Sequence, residues 1–185
     1  MVSSIGTVQG VYDILGRSQN EIPITQIQTQ LLVAERKIKA RHNNNYCVDK
    51  FHSTYIPASG STNKVYETYF PIKDNTLITV YVRGILATLT TDYTMSGSTI
   101  TFTSAFDLGV GHTIILRYIP AFFDDYANSL AAERIYAVGL IDTTSAVGKA
   151  VYDTIKETAK EYELMAASKP YVAPAVDHRE DYGIY

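Results

Sequence analysis

The sequence predicts an α+β chain: a helical bundle of two N-terminal and two C-terminal helices, an antiparallel β module inserted between them, and an extended C-terminal tail. Three observations predict it. Apolar residues recur at three- and four-residue spacing near both ends, which is the period of an amphipathic helix. Between those regions, short runs alternate apolar and polar residues and are punctuated by Gly, Asn and Ser, as half-buried strands are. The last stretch, SKPYVAPAVDHREDYGIY, has two prolines and three tyrosines but too little apolar content to form a core. The boundaries that follow are 1–45, 46–120, 121–168 and 169–185.

The first helix is expected over residues 7–16, where Val8, Val11, Tyr12 and Leu15 share one face and Gly16 ends the run. Pro23 suits the first turn of a second helix, residues 24–41, with Ile27, Leu31, Ala34 and Ile38 as its stripe. Arg36, Lys37, Lys39 and Arg41 place positive charge in its last turns, where the helix dipole favours cations. Strands are expected over 46–56, 64–72, 77–83, 98–103 and 112–119. Val80 and Val82 alternate with Tyr81 and Arg83, and Ile100 and Phe102 with Thr99, Thr101 and Thr103. Met95-Ser96-Gly97-Ser98 reads as a tight turn with Gly97 free to take positive φ. Helix returns at about residue 122 and runs to Gly139, with Phe123, Ala127, Leu130, Ile135 and Val138 on one broad face. A final helix spans 144–167, with Val147, Val151, Ile155, Ala159, Tyr162 and Met165 as an apolar stripe and Lys149, Lys156, Glu157, Lys160, Glu161 and Glu163 opposite. It is the clearest amphipathic helix in the chain. Lys169-Pro170 ends it.

A net charge of −3 argues against a general polyanion-binding surface. A single cysteine, Cys47, excludes an internal disulfide and a structural zinc site built on thiolates. No run approaches the roughly 20 apolar residues of a membrane span, and the N-terminal stretch lacks the basic start and apolar segment of a signal peptide. The expectation is a product assembled inside a cell, with no membrane partner.

Candidate chemistry is sparse. His42, His52, His112 and His178 have no metal-ligand spacing. Gly109-Val110-Gly111 precedes a strand, whereas a dinucleotide-binding glycine loop follows one and opens a helix, so a turn is expected there. Asp124-Asp125 fits the first turn of a helix better than a metal site. Asp177, Glu180 and Asp181 beside His178 and Arg179 make a charged, solvated or pairing segment. The basic end of the second helix could touch nucleic acid, but its four cations wrap the helix and complement its dipole. No nucleophile has a base beside it, so the expectation is no enzyme activity, no catalytic residue, no cofactor and no metal.

The layout resembles the head-to-tail connector (adaptor, or head completion) proteins of tailed bacteriophages. The likeness rests on VQGVYDIL and ITQIQTQLLVAERKIKAR, then the β region 46–119, then FDDYANSLAAERIYAVGLI, the helix from Thr144 and the tail. The segment VYVRGILATLTTDYTMSGSTITFTSAFDLGVGHTIILRY is also similar to a β module recurrent in phage structural proteins, at Val80, Val82, Gly84, Asp92, Tyr93, Gly97, Ile100, Phe102, Gly109, Gly111 and Ile114. The resemblance implies a structural virion protein at the neck: a homo-oligomeric ring of twelve copies, docked under the portal protein. The ring would meet a downstream tail, stopper or nozzle protein and would leave a channel that DNA crosses transiently during genome ejection. The tail is expected to reach the portal, with Tyr171, Val172, Tyr182, Ile184 and Tyr185 as anchors and Arg179 as a pairing charge. The alternative is a receptor-binding or tail-fibre module, in which the tyrosine-rich strands stack on a host surface glycan.

Overall fold

The computed structural model describes residues 5–41, 47–53, 65–103, 106 and 108–167. Among them, four α-helices and two antiparallel sheets make an α+β chain. The chain divides into two compact units, one from residues within 1–45 and 121–168, the other from residues within 46–120.

In the helical unit, α1 (Val8–Leu15) begins where the Thr7 side chain accepts a hydrogen bond from the Gly10 N–H, and ends at Gly16 with φ of 59°. Its predicted face is buried at Val11, Tyr12 and Leu15. The Tyr12 hydroxyl donates to the Ile22 carbonyl at 2.6 Å in a buried setting, pinning the linker to the helix. Tyr12→Phe leaves that carbonyl without its partner, so a loss of about 1–3 kcal/mol is expected in urea unfolding. An unchanged midpoint would show that water reaches Ile22 instead.

Helix α2 (Ile24–Arg41) buries the predicted Ile27, Leu31, Ala34 and Ile38. It also buries Glu35, whose carboxylate takes the Lys39 ammonium at 2.8 Å one turn on. Helix α3 (Phe123–Ala137) packs against α1, α2 and α4 (Ala146–Ala167). Small residues Ala127, Ser129, Ala131 and Ala132 are buried around it together with Phe123, Leu130 and Ile135. A helix enclosed on most sides needs no single stripe.

The face expected on α3 is buried at Phe123, Ala127, Leu130 and Ile135, whereas Val138, past the helix end, is 50% exposed. Of the stripe expected on α4, only Ile155 and Ala159 are buried, while Val147 is 75% and Met165 42% exposed. The reason is that α4 lies mainly against one neighbour, α3, which covers a narrow strip. Aromatic rings hold it there: Tyr162 stacks on Phe122 with centroids 6.3 Å apart, and Tyr152 meets Tyr136 at 5.7 Å.

In the β unit, β1 (Cys47–His52), β7 (Thr113–Tyr118), β3 (Thr79–Val82) and β4 (Ile85–Ala87) form one sheet in the spatial order β1-β7-β3-β4. The second sheet has the order β2-β6-β5, from β2 (Val65–Glu67), β5 (Tyr93–Ser96) and β6 (Thr99–Phe102). Alternation works as read at Val80, Val82, Ile100 and Phe102, which are buried; Ile114, Leu116 and Tyr118 join them from the first sheet and Tyr93 from the second. Tyr66 on β2 joins the sheets, its ring 5.8 Å from Phe51 on β1 and 5.9 Å from Phe102 on β6.

Several strand limits differ from expectation. The strand expected over 64–72 is confined to Val65–Glu67, because the Thr68 hydroxyl bonds to the Phe70 carbonyl and the Tyr69 N–H to the Asp49 carboxylate, turning the chain out of the ladder. The strand expected at 77 starts at Thr79, after a 3-10 turn, Asn75–Leu77, capped by Asp74. Two short strands were not foreseen. β4 follows β3 through Arg83-Gly84, both at positive φ (54° and 81°), the pattern of a type I′ hairpin turn. β5 includes Met95 and Ser96, so the turn is the two residues Gly97-Ser98 alone.

Candidate assembly surfaces

Tyr171, Val172, Arg179, Tyr182, Ile184 and Tyr185, the portal-docking residues expected from the resemblance, lie outside the described residues. So do His42 and His178. Asp177, Glu180 and Asp181 lie outside the described residues too, and four other sequence candidates, Asp124, His112, Lys39 and Arg41, have structural partners. Asp124 at the start of α3 accepts the Gly6 N–H at 2.7 Å. The His112 imidazole accepts the Gly109 N–H at 3.0 Å and closes the turn before β7. At the basic end of α2, Lys39 pairs with Glu35, and the Arg41 guanidinium donates to the Glu163 carboxylate on α4. Burial pushes the Tyr126 phenol up, and Arg41 beside it pulls the other way. Two of that helix's four cations are thus spent within the chain.

One polar cluster sits inside the β unit. Asp49 is 2% exposed, and its Oδ2 accepts the Tyr118 hydroxyl at 2.9 Å and the Tyr69 N–H at 2.8 Å. The Tyr118 oxygen in turn accepts the Phe70 N–H at 3.1 Å. Asp49 Oδ1 is buried and has no hydrogen-bond partner among the described residues. Burial raises the Asp49 carboxyl above the usual carboxylate range, against the opposing pull of its two donors. Burial also pushes the neighbouring Cys47 thiol up to about 12, so this cysteine is no nucleophile at neutral pH. The cluster ties the irregular stretch at Tyr69 and Phe70 to β1 and β7. It was legible in principle: Cys47, Asp49 and Phe51 occupy the inward positions of CVDKFH, and an acid among them signals a buried partner.

Among the described residues, two surface grooves of the helical unit stand out. One, of about 390 Å³, is lined by Ile14 of α1, Ser129 of α3, and Val151, Thr154, Ile155 and Thr158 of α4, with no charged group among them. The other, of about 340 Å³, mixes Lys37, Lys156 and Lys160 with Glu133 and Glu163. Large apolar side chains stand exposed at Ile85 (70%) and Leu86 (59%) on the β3–β4 hairpin. A short edge strand that shows such residues is a place where another chain can add.

No protein-family model matches this chain, and no curated protein matches it significantly. Among the described residues, no cluster of three or more His, Cys, Asp or Glu is arranged to hold a metal ion, and no helix is long and apolar enough to cross a membrane. The surfaces are suited to contact: an uncharged groove, an apolar hairpin, and titratable groups engaged in hydrogen bonds that shape the backbone.

Proposed function

We propose that this chain is a structural virion protein, the ring-forming head-to-tail connector of a tailed bacteriophage, which docks under the portal and joins capsid to tail around a DNA channel. The observation that carries the reading is the insertion: residues within 1–45 and 121–168 belong to one helical unit although the described residues within 46–120, which come between them in the chain, form a separate β unit. In this reading the four helices are the bundle that packs side by side around the ring. The β unit reaches the neighbouring subunit or the next tail component, and residues 169–185 are the portal-docking tail. The positions that carry the resemblance to the phage β module support it further: Val80, Val82, Ile100, Phe102 and Ile114 are core residues, and Gly84, Gly97 and Gly111 hold positive φ in turns.

Deleting Lys169–Tyr185 tests the docking role. The truncated chain is expected to keep its far-UV circular dichroism and to lose co-sedimentation with portal rings. Normal co-assembly of the truncated chain would refute tail docking. A trimeric mass in solution together with glycan binding would favour a fibre module over a connector.

A further inference from the structure

We propose that neighbouring copies join head to tail, the outer face of the four-stranded sheet of one copy seating on the α1–α4 groove and the acidic row beside it on the next. This rests on the ring reading and names its contact. Register places Lys50 opposite Ile115, Ile115 opposite Tyr81, and Tyr81 opposite Leu86, so these four form one row across β1, β7, β3 and β4. They point away from the buried side, where Asp49, Val80, Leu116 and Tyr118 lie. Val48 (45% exposed) and Arg117 are the adjacent pair on the same face, and the Arg117 guanidinium lies 5.8 Å from the Tyr81 ring centroid. No outward position of these four strands carries a carboxylate. The face is an apolar bar with cations at Lys50 and Arg117.

Its complement is on the helical unit. The groove row Ala150, Thr154 and Thr158 is uncharged, and Asp153, Glu157 and Glu161, each three residues further along α4, run directly beside it. All three acids are exposed and lie between the groove and Lys149, Lys156 and Lys160, so the side that meets the groove is acidic. Among the described residues, neither these acids nor Lys50 and Arg117 form an ion pair. Lengths agree: three strand spacings from Lys50 to Leu86 make about 14 Å, and eight residues of helix from Asp153 to Glu161 about 12 Å. Apolar bar meets uncharged groove, and cations meet acids. Because the two surfaces are different parts of the chain, the contact is heterologous, the kind that repeats and closes into rings.

Cysteine cross-linking of the full chain tests this. A chain carrying both Leu86→Cys and Thr154→Cys is expected to form a ladder of covalent dimers, trimers and larger species on mild oxidation, whereas an isologous contact stops at dimers. Adding Lys50→Glu with Arg117→Glu, or Asp153→Lys, Glu157→Lys and Glu161→Lys, should each cut the ladder at least tenfold, and all five together should restore it. Circular dichroism of each variant checks that the fold survives. A ladder indifferent to the charge changes, or no cross-link at high protein concentration, overturns the contact. So does duplex DNA binding that is lost with Lys50→Glu and Arg117→Glu while self-association persists. Rings whose cross-links map elsewhere overturn the contact and leave the connector reading intact; closed trimers that bind glycan overturn both.

Discussion

Gly6→Ala is expected to destabilise the helical unit by on the order of 3 kcal/mol, lowering Tm by roughly 6–12 °C. Gly6 sits at φ of 75°, and a Cβ there would stand 2.8 Å from Asn128 Oδ1, 2.8 Å from Leu31 Cδ2 and 3.0 Å from Ala127 Cβ. The turn matters because it aims two successive N–H groups at α3. Gly6 donates to Asp124 at 2.7 Å and Thr7 to the buried Asn128 at 2.8 Å, two side chains one helical turn apart. An added methyl must displace Asn128 or the turn, and either movement costs these hydrogen bonds as well as left-handed strain. Gly16→Ala is the control. Its φ of 59° is also left-handed, but nothing lies within 4 Å of the new Cβ, so only the conformational cost of about 1–2 kcal/mol remains. Equal losses for Gly6→Ala and Gly16→Ala in thermal unfolding would mean that the α1–α3 clasp contributes nothing.

Asp49→Ala is expected to cost a similar amount in the β unit, on the order of 2–4 kcal/mol, because the Tyr118 hydroxyl and the Tyr69 N–H both lose their acceptor. Asp49→Asn keeps an acceptor and should cost less. It also removes a titration, which gives the pH test. Burial holds the Asp49 carboxyl above its unfolded value, so the folded state binds this proton more tightly than the unfolded chain does. Its stabilising contribution is fully present below the unfolded carboxylate pKa of about 3.9 and is lost as pH rises through the raised folded value. Wild type should therefore lose stability relative to Asp49→Asn as pH increases from about 4. Urea midpoints of the two proteins compared across pH check this, and a constant difference would show that burial does not govern this group.

Local pattern read well wherever one face of an element meets the core. The limits of α2 and the stripe of Ile27, Leu31, Ala34 and Ile38 follow from spacing and from Pro23. Thr7 and Gly16 bracket α1 because a hydroxyl and a glycine suit those two backbone positions. Val80, Val82, Ile100 and Phe102 point inward because strand side chains alternate. β4 escaped notice since Ile85 and Leu86 are adjacent and both exposed, leaving no alternation to detect. β5 is only four residues long and buries Tyr93 alone. The candidate surfaces were the least legible part, because a sheet face is assembled across β1, β7, β3 and β4, whose residues lie far apart in the chain.

Periodicity, capping residues and turn glycines were enough to establish an α+β chain with helices flanking a β region, since each depends on interactions within a few residues. Burial depended on long-range packing. Helix α3 buried four residues of its expected face, Phe123, Ala127, Leu130 and Ile135, and others besides, because three helices pack against it, while the more amphipathic α4 kept Val147 and Met165 in solvent. Asp49 and Asn128 became interior hydrogen-bonding centres for the same reason: their donors, Tyr118 and Thr7, stand 69 and 121 residues away and meet them only when the chain is folded.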